Sequence, residues 1–213
     1  MRFLLERFLL SRRYTGARRR AVEFRRVLRR APHTVSVFLE LDDPYSYLLA
    51  NYLDELASRY AVELRVYLAE ALPGAHRPTP GLYQEYALAD CRQFAGELGI
   101  PFLDKGRTPP VEYRRALLDL LAARDGSETF ATELCHCIAA YWRGDAEAVA
   151  RRCRGTHGSP AAKTMLDRNR ALLARLGHYE TATLQYGGEW YRGVERLHYL
   201  VARLDALGLR REP

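Results

Sequence analysis

The sequence predicts an α/β domain: a four-stranded sheet interrupted by a long all-helical insertion and preceded by a basic helical arm. Three stretches carry that expectation. In residues 35–41, Val35, Val37, Leu39 and Leu41 alternate with Ser36, Phe38 and Glu40, and the run stops abruptly at Asp42-Asp43-Pro44. From Leu82 the text keeps helical spacing for nearly a hundred residues. Residues 181–186 and 189–192 then flank Gly187-Gly188, a pair suited to the primed turn of a hairpin.

Taken in order, residues 1–32 read as the arm, with two short helices broken near Gly16. Phe3, Leu4, Phe8 and Leu9 offer one apolar stripe, and Phe24, Val27 and Leu28 another before Pro32. Residues 33–213 read as one domain with its insertion at about 80–177. After the first strand, Pro44 preceded by Asp43 is a helix start, because the carboxylate caps free N–H groups and proline's missing N–H costs nothing there. Leu48, Leu49, Tyr52, Leu53 and Leu56 then continue a helix over 45–60. Residues 61–68 alternate as a second strand, parallel to the first through a right-handed crossover. Within the insertion, helices are expected at 82–98, at 110–124 after Pro109-Pro110, from a Ser127 cap to Gly144, from an Asp145 cap to Arg154, and from Ser159-Pro160 to Gly177. Residues 194–207 form the last helix.

The chain of 213 residues carries a net charge of +7, but unevenly. Residues 1–30 hold eleven arginines against Glu6 and Glu23, a local +9, so the remainder is −2. Three readings of the arm stay open on charge pattern: a helix packed on the domain with its arginines solvated, contact with anionic membrane through residues 1–30, or a transit-peptide-like leader. Nucleic acid is not expected, since stacking aromatics in a basic groove are missing. No apolar run is long enough to span a bilayer and no secretory signal pattern follows the start, so a soluble, cytoplasmic protein is expected. Of the four cysteines, Cys91, Cys135, Cys137 and Cys153, none forms C-x-x-C and none sits at the strand-to-helix corner, which excludes a thioredoxin-type dithiol mechanism. Cys135, Cys137, Cys153 and His157 have ligand chemistry for zinc. On a helix, however, positions i and i+2 point to different faces, so buried free thiols and no metal are expected.

Two motifs resemble a known family. The corner Pro44-Tyr45-Ser46-Tyr47-Leu48 is similar to the S-P-Y-S-[YW]-L of the 2-hydroxychromene-2-carboxylate isomerase and kappa-class glutathione transferase branch of the DsbA-like thioredoxin superfamily. Gly188 to Leu197, GEWYRGVERL, resembles that branch's G-x-x-[FW]-x-G-x-D-R-L segment. The two bracket about three quarters of the chain. The resemblance implies a thioredoxin-like fold of DsbA type, glutathione as cofactor, a homodimer, and an isomerase or transferase acting on a small-molecule or thiol-bearing ligand. It departs at two places. Asp43 stands where the family has the Ser, or Cys, that faces sulfur, and Ala182 stands where the superfamily has a cis-proline. An ordinary trans link is expected before Ala182, because a non-proline cis bond costs about 3 kcal/mol.

The candidate catalytic residues are therefore Asp43, as a base or hydrogen-bond acceptor, and Ser46, a possible substitute for the missing hydroxyl one turn further along. Candidate ligand-binding residues are Asp42, Tyr45, Tyr47, Ala182, Thr183, Glu195 and Asn169. The resemblance gives Glu195, with Arg196, the family's Asp-Arg step, whose acid holds the amino group of a γ-glutamyl moiety, and sets Lys163 and Asn169 on a K…N pattern. Against each stands a structural reading: Asp43 and Glu195 complement helix N-termini, and the tyrosines pack on the sheet edge. A carboxylate at position 43 repels a thiolate, so activation of glutathione sulfur is expected to be poor. A non-catalytic thioredoxin-like module binding a protein or membrane partner is the alternative function.

Overall fold

The computed structural model describes residues 12–72, 80–102, 111–154 and 160–212. The Phe3–Leu9 stripe, most of the loop around Pro73 to Pro78, Pro109-Pro110, His157 and Ser159 lie outside the described residues. The sheet has the order β2-β1-β3-β4. Strand β1 (Thr34–Leu39) pairs in parallel with β2 (Glu63–Leu68), in the register Val37↔Val66. It pairs antiparallel with β3 (Thr183–Tyr186), which forms a hairpin with β4 (Glu189–Arg192). Gly187 and Gly188 both adopt positive φ, 55° and 78°, the type I′ geometry that follows strand twist and that residues with a Cβ resist.

Apolar groups on both faces of β1 explain its place beside the sheet centre. Val35, Val37 and Leu39 join the main core, whereas Phe38 is buried on the other face with Ala69 and Leu173. The insertion comprises α4 (Pro80–Leu98), α5 (Val111–Ala123), α6 (Phe130–Trp142), α7 (Ala146–Arg152) and α8 (Ala161–Arg175), and α9 (Leu197–Ala206) closes the chain. On α6, Phe130, Leu134, Ile138 and Tyr141 all point inward, as their spacing predicts. Asp145 caps α7, with its Oδ1 accepting from Ala148 N at 2.8 Å.

Four local expectations need correction. Helix α1 (Arg12–Leu28) runs unbroken through Gly16, because one glycine costs only about 1 kcal/mol within an arginine-rich helix. The helix expected over 45–60 is two, α2 (Pro44–Ala50) and α3 (Leu53–Arg59). Between them Asn51 donates its side-chain amide to Tyr47 O at 2.7 Å, taking the carbonyl that the next turn would need. Ser127 does not cap α6: Thr129 occupies that position without a side-chain capping bond, and Ser127 O accepts from Phe130 N at 3.1 Å in the preceding turn. The last helix begins with a 3₁₀ turn at Val194–Arg196 before α9.

Helix α1 docks on the hairpin through its arginines. Arg18 donates to Gly188 O at 2.8 Å, and Arg19 makes a two-pronged pair with Glu189, both bonds 2.8 Å. The expected packed arm with a solvated arginine face is thus inverted in part, since Phe24 and Leu28 are 69% and 73% exposed. Among the described residues no helix is long and apolar enough to cross a membrane.

Two histidines set an expected pH response. Burial, reinforced by the Arg26 charge, holds His33 below its ordinary value of 6.5, and burial does the same to His178. The native state therefore resists charging these rings, so their contribution is fully present above pH 6.5 and is lost as pH falls through the lowered native values. The melting temperature should drop between pH 7 and pH 5, and the drop should shrink in a His33→Gln, His178→Gln double variant. A flat profile over that window would refute the assignment.

Candidate functional site

The corner between β1 and α2 is built by Asp43. Its backbone is extended, and its Oδ2 accepts from Ser46 N at 2.9 Å and from Ser46 Oγ at 2.8 Å. Ser46 Oγ in turn accepts from Glu40 N at 3.0 Å. Ser46 is completely buried, so its hydroxyl ties the end of β1 to the first turn of α2 and holds the Asp43 carboxylate in place. Asp43 itself is 5% exposed.

Two adjoining hollows meet at this corner. One, of about 200 Å3, is lined by Glu40, Asp42, Asp43, Pro44, Tyr83 and Trp142 among others. The second, of about 220 Å3, is lined by Tyr45, Tyr83, Tyr86, Asp90, Ala182, Arg192, Gly193 and Glu195. Tyr83 borders both, so α4 forms the wall of one two-lobed cleft. Asp42 is gripped by Arg114, whose Nε lies 2.9 Å from Asp42 Oδ2 and whose Nη2 lies 2.7 Å from Glu70 Oε1. The other Asp42 oxygen, Oδ1, is a buried acceptor with no hydrogen-bond partner among the described residues, and a ligand donor would satisfy it.

In the second lobe, Tyr45 donates its hydroxyl to Asp90 at 2.7 Å. Burial and this bond push the phenol well above its ordinary range. Arg192 pairs with Glu180 at 2.6 Å and lies 6.0 Å from the Tyr45 ring centre. Ala182 adopts φ 52° and accepts from Gly193 N at 2.8 Å; the described residues contain no cis peptide bond. Gly193 has φ 67°, and a Cβ there would lie 1.8 Å from Glu195 Oε2. Gly193→Ala should therefore displace the Glu195 carboxylate and cost about 1–2 kcal/mol in a urea titration. An unchanged midpoint would refute the tight fit.

The expected residues thus divide. Asp42, Asp43, Tyr45, Ala182 and Glu195 converge on the cleft. Tyr47 is fully buried, donating to Pro101 O and packing its ring against Phe102 and Trp142. Thr183 is buried in β3 with its hydroxyl directed to Tyr191 O at 3.3 Å. Asn169 lies on α8, where its side-chain amide donates to Leu68 O at 2.8 Å, away from the cleft. Lys163 pairs with Asp167 on that helix. Sequence reasoning missed Glu40, Trp142, Arg114, Tyr83, Tyr86, Asp90 and Arg192. A signal existed for part of this set, since Tyr83, Tyr86 and Asp90 fall on one face of α4 by their three-and-four spacing.

Thiol chemistry has little support at the corner. Cys91 is fully buried, and burial followed by the charges of Asp43 and Asp90 raises its thiol far above the ordinary range. Burial pushes both Cys135 and Cys137 up to about 12. Among the described residues no group of three or more His, Cys, Asp or Glu side chains is placed to hold a metal ion. A larger apolar groove of about 550 Å3, lined by Leu56, Phe94, Leu98, Leu197 and Val201, shares Glu195 alone with the cleft and none of the Asp43 corner.

No protein-family model matches the chain, and no curated protein matches it either. Solved structures do. A 2-hydroxychromene-2-carboxylate isomerase superposes with a TM-score of 0.63 at 20% identity, covering 82% of this chain and 95% of its own. The cytosolic disulfide reductase DsbM from Pseudomonas aeruginosa gives 0.52 at 15% identity, covering 81% and 99%. A putative protein disulfide isomerase from Nitrosomonas europaea gives 0.53 at 14%, covering 83% and 98%. The chain has the DsbA-like thioredoxin fold with a helical insertion, as the two motifs imply.

Proposed function

We propose that the protein binds a small ligand bearing hydrogen-bond donors in the two-lobed cleft at the Asp43-Pro44 corner. It acts as a divergent cytoplasmic counterpart of the 2-hydroxychromene-2-carboxylate isomerase and kappa-class glutathione transferase type, not as a dithiol oxidoreductase. The observation that carries this reading is the pair of carboxylates on the cleft wall, Asp43 fixed by Ser46 and Asp42 with a buried oxygen that no described residue satisfies. Asp43 accepts a proton or hydrogen bond from the ligand, Ser46 positions it, and Glu195 in the second lobe takes an ammonium group. Glutathione fits this chemistry through its γ-glutamyl amine. It would bind with its thiol protonated, because a carboxylate raises rather than lowers a neighbouring thiol's pKa.

Titration with glutathione tests this, using melting temperature and the fluorescence of Trp142 on the cleft wall as readouts. Ligand at a hundred times Kd would add about 2.7 kcal/mol of stability. Glu195→Gln should weaken binding roughly tenfold by removing a charge-assisted bond. No response at millimolar glutathione would overturn the glutathione assignment. The commitment of Asp43 to Ser46 N favours a second reading, in which position 43 is a cap and the cleft is non-catalytic. Asp43→Ser separates the two. Gain of thiol transfer to an electrophilic aromatic chloride by the serine variant supports a cleft laid out for chemistry, and inactivity of both proteins supports the binding module.

A further inference from the structure

The described part of the arm presents its apolar side to solvent and its arginines to both solvent and protein. On α1, helical spacing puts Ala17, Ala21, Phe24 and Leu28 on one line, and all four are exposed, Phe24 at 69% and Leu28 at 73%. Val27, 57% exposed, widens that face on one side. The opposite side is the docked one, held by Arg19 to Glu189, with Arg26 and Glu23 paired along the helix on that same side. Arg20 and Arg25 flank the apolar line on either edge, and Arg29 and Arg30 follow it. None of these four has an ion-pair partner among the described residues.

A second copy of this chain is a poor match for that surface. Glu23 is the sole acidic residue of α1, and it is turned inward against Arg26 and His33. Two such faces brought together in either direction would set Arg20 and Arg25 against arginines with no acid between them. An apolar strip rimmed by arginines that have no ion-pair partner among the described residues instead fits the boundary of an anionic bilayer, where the side chains of Phe24 and Leu28 enter the acyl region and the guanidinium groups meet phosphate and carboxylate headgroups. Docking through Arg18 and Arg19 holds the helix against the hairpin, so it stays folded with this face outward before any membrane is met.

We propose that α1 is an interfacial helix that seats the protein on anionic lipid through Ala17, Ala21, Phe24 and Leu28, with Arg20, Arg25, Arg29 and Arg30 on headgroups. This proposal is independent of what occupies the cleft. The test is co-sedimentation of the full chain with phosphatidylcholine vesicles lacking or containing phosphatidylserine, at low and high salt. Binding is expected to the anionic vesicles and to weaken with salt. Each arginine near such a surface is worth roughly a fivefold change in partitioning, so Arg20→Gln with Arg25→Gln should weaken binding about 25-fold. Phe24→Ser with Leu28→Ser should weaken it more than roughly tenfold through lost apolar burial. Because all four side chains are exposed, these variants should keep the parent melting temperature, and that measurement confirms their folding. Failure to bind anionic vesicles, or binding indifferent to the Phe24 and Leu28 substitutions, overturns the proposal. So does a dimer in sedimentation velocity that those two substitutions dissociate, since the face would then be covered by a second chain.

Discussion

Replacing Trp142 with alanine is expected to remove about 3–5 kcal/mol of stability, a large share of what a domain of this size possesses. Trp142 is 1% exposed at the end of α6, and its indole N–H donates to Leu41 O at 3.0 Å, in the turn just before Asp42. Its ring stacks on Phe102 and Tyr47, with centroids 5.7 and 6.5 Å apart, and meets Tyr141 edge-on at 5.7 Å. Alanine would open a cavity among these rings and leave a buried carbonyl without its donor. Trp142→Phe divides the effect. It keeps most of the bulk and loses the N–H, so a cost of about 1–3 kcal/mol is expected. Urea unfolding followed by far-UV circular dichroism measures both, and a loss below about 1.5 kcal/mol for the alanine variant would show that the ring cluster does not anchor the corner. Since Trp142 also walls the cleft, the alanine variant should in addition alter ligand response at concentrations where it remains folded.

The second large effect is expected at Arg203. This guanidinium is 7% exposed on α9, donates to Tyr186 O at 2.9 Å, lies 3.2 Å from Glu189 and sits 4.7 Å from the centre of the Tyr186 ring. It also fills the space beside Gly187, where a Cβ would lie 2.5 Å from its Nη2. Removing one partner of a buried pair costs about 3–5 kcal/mol because the remaining charge stays desolvated. Glu189 keeps Arg19, so Arg203→Ala should fall at the lower end, about 3 kcal/mol. The same variant should loosen α1, whose dock is Glu189. Faster hydrogen exchange at residues 15–28 is the accompanying sign. Arg203→Lys keeps the charge without the planar fork and should recover only part of the loss. An alanine variant as stable as the parent would mean that hairpin and arm are held by other contacts.

Several elements were legible because their causes are local. Asp42-Asp43-Pro44 announces a strand-to-helix corner through capping chemistry within four residues, and the Asp43 carboxylate bonds Ser46 N as that chemistry requires. Gly187-Gly188 specifies its turn through backbone conformation alone. Asp145 and the inward face of α6 follow from side chains three or four positions apart. Less legible were the break at Asn51, where a short side chain competes for one carbonyl, and the burial of Ser46, which depends on Glu40 N arriving from the strand above it.

By itself the sequence determined the order of strands and helices and placed an acid at the helix-N-terminal corner, because periodicity, caps and turn residues act over a few positions of chain; the DsbA-like thioredoxin fold was implied by the resemblance of two motifs. Only the tertiary structure decided which of the named residues share a cleft. Arg114 reaches Asp42 and Glu70 across 72 and 44 residues, Trp142 reaches Leu41 across 101, and Asn169 is spent on Leu68 instead of the site. It also turned α1 apolar side out, because Arg18 and Arg19 find a carbonyl and a carboxylate on a hairpin 170 residues away. Such pairings depend on where distant segments come to rest, and no local spacing encodes that.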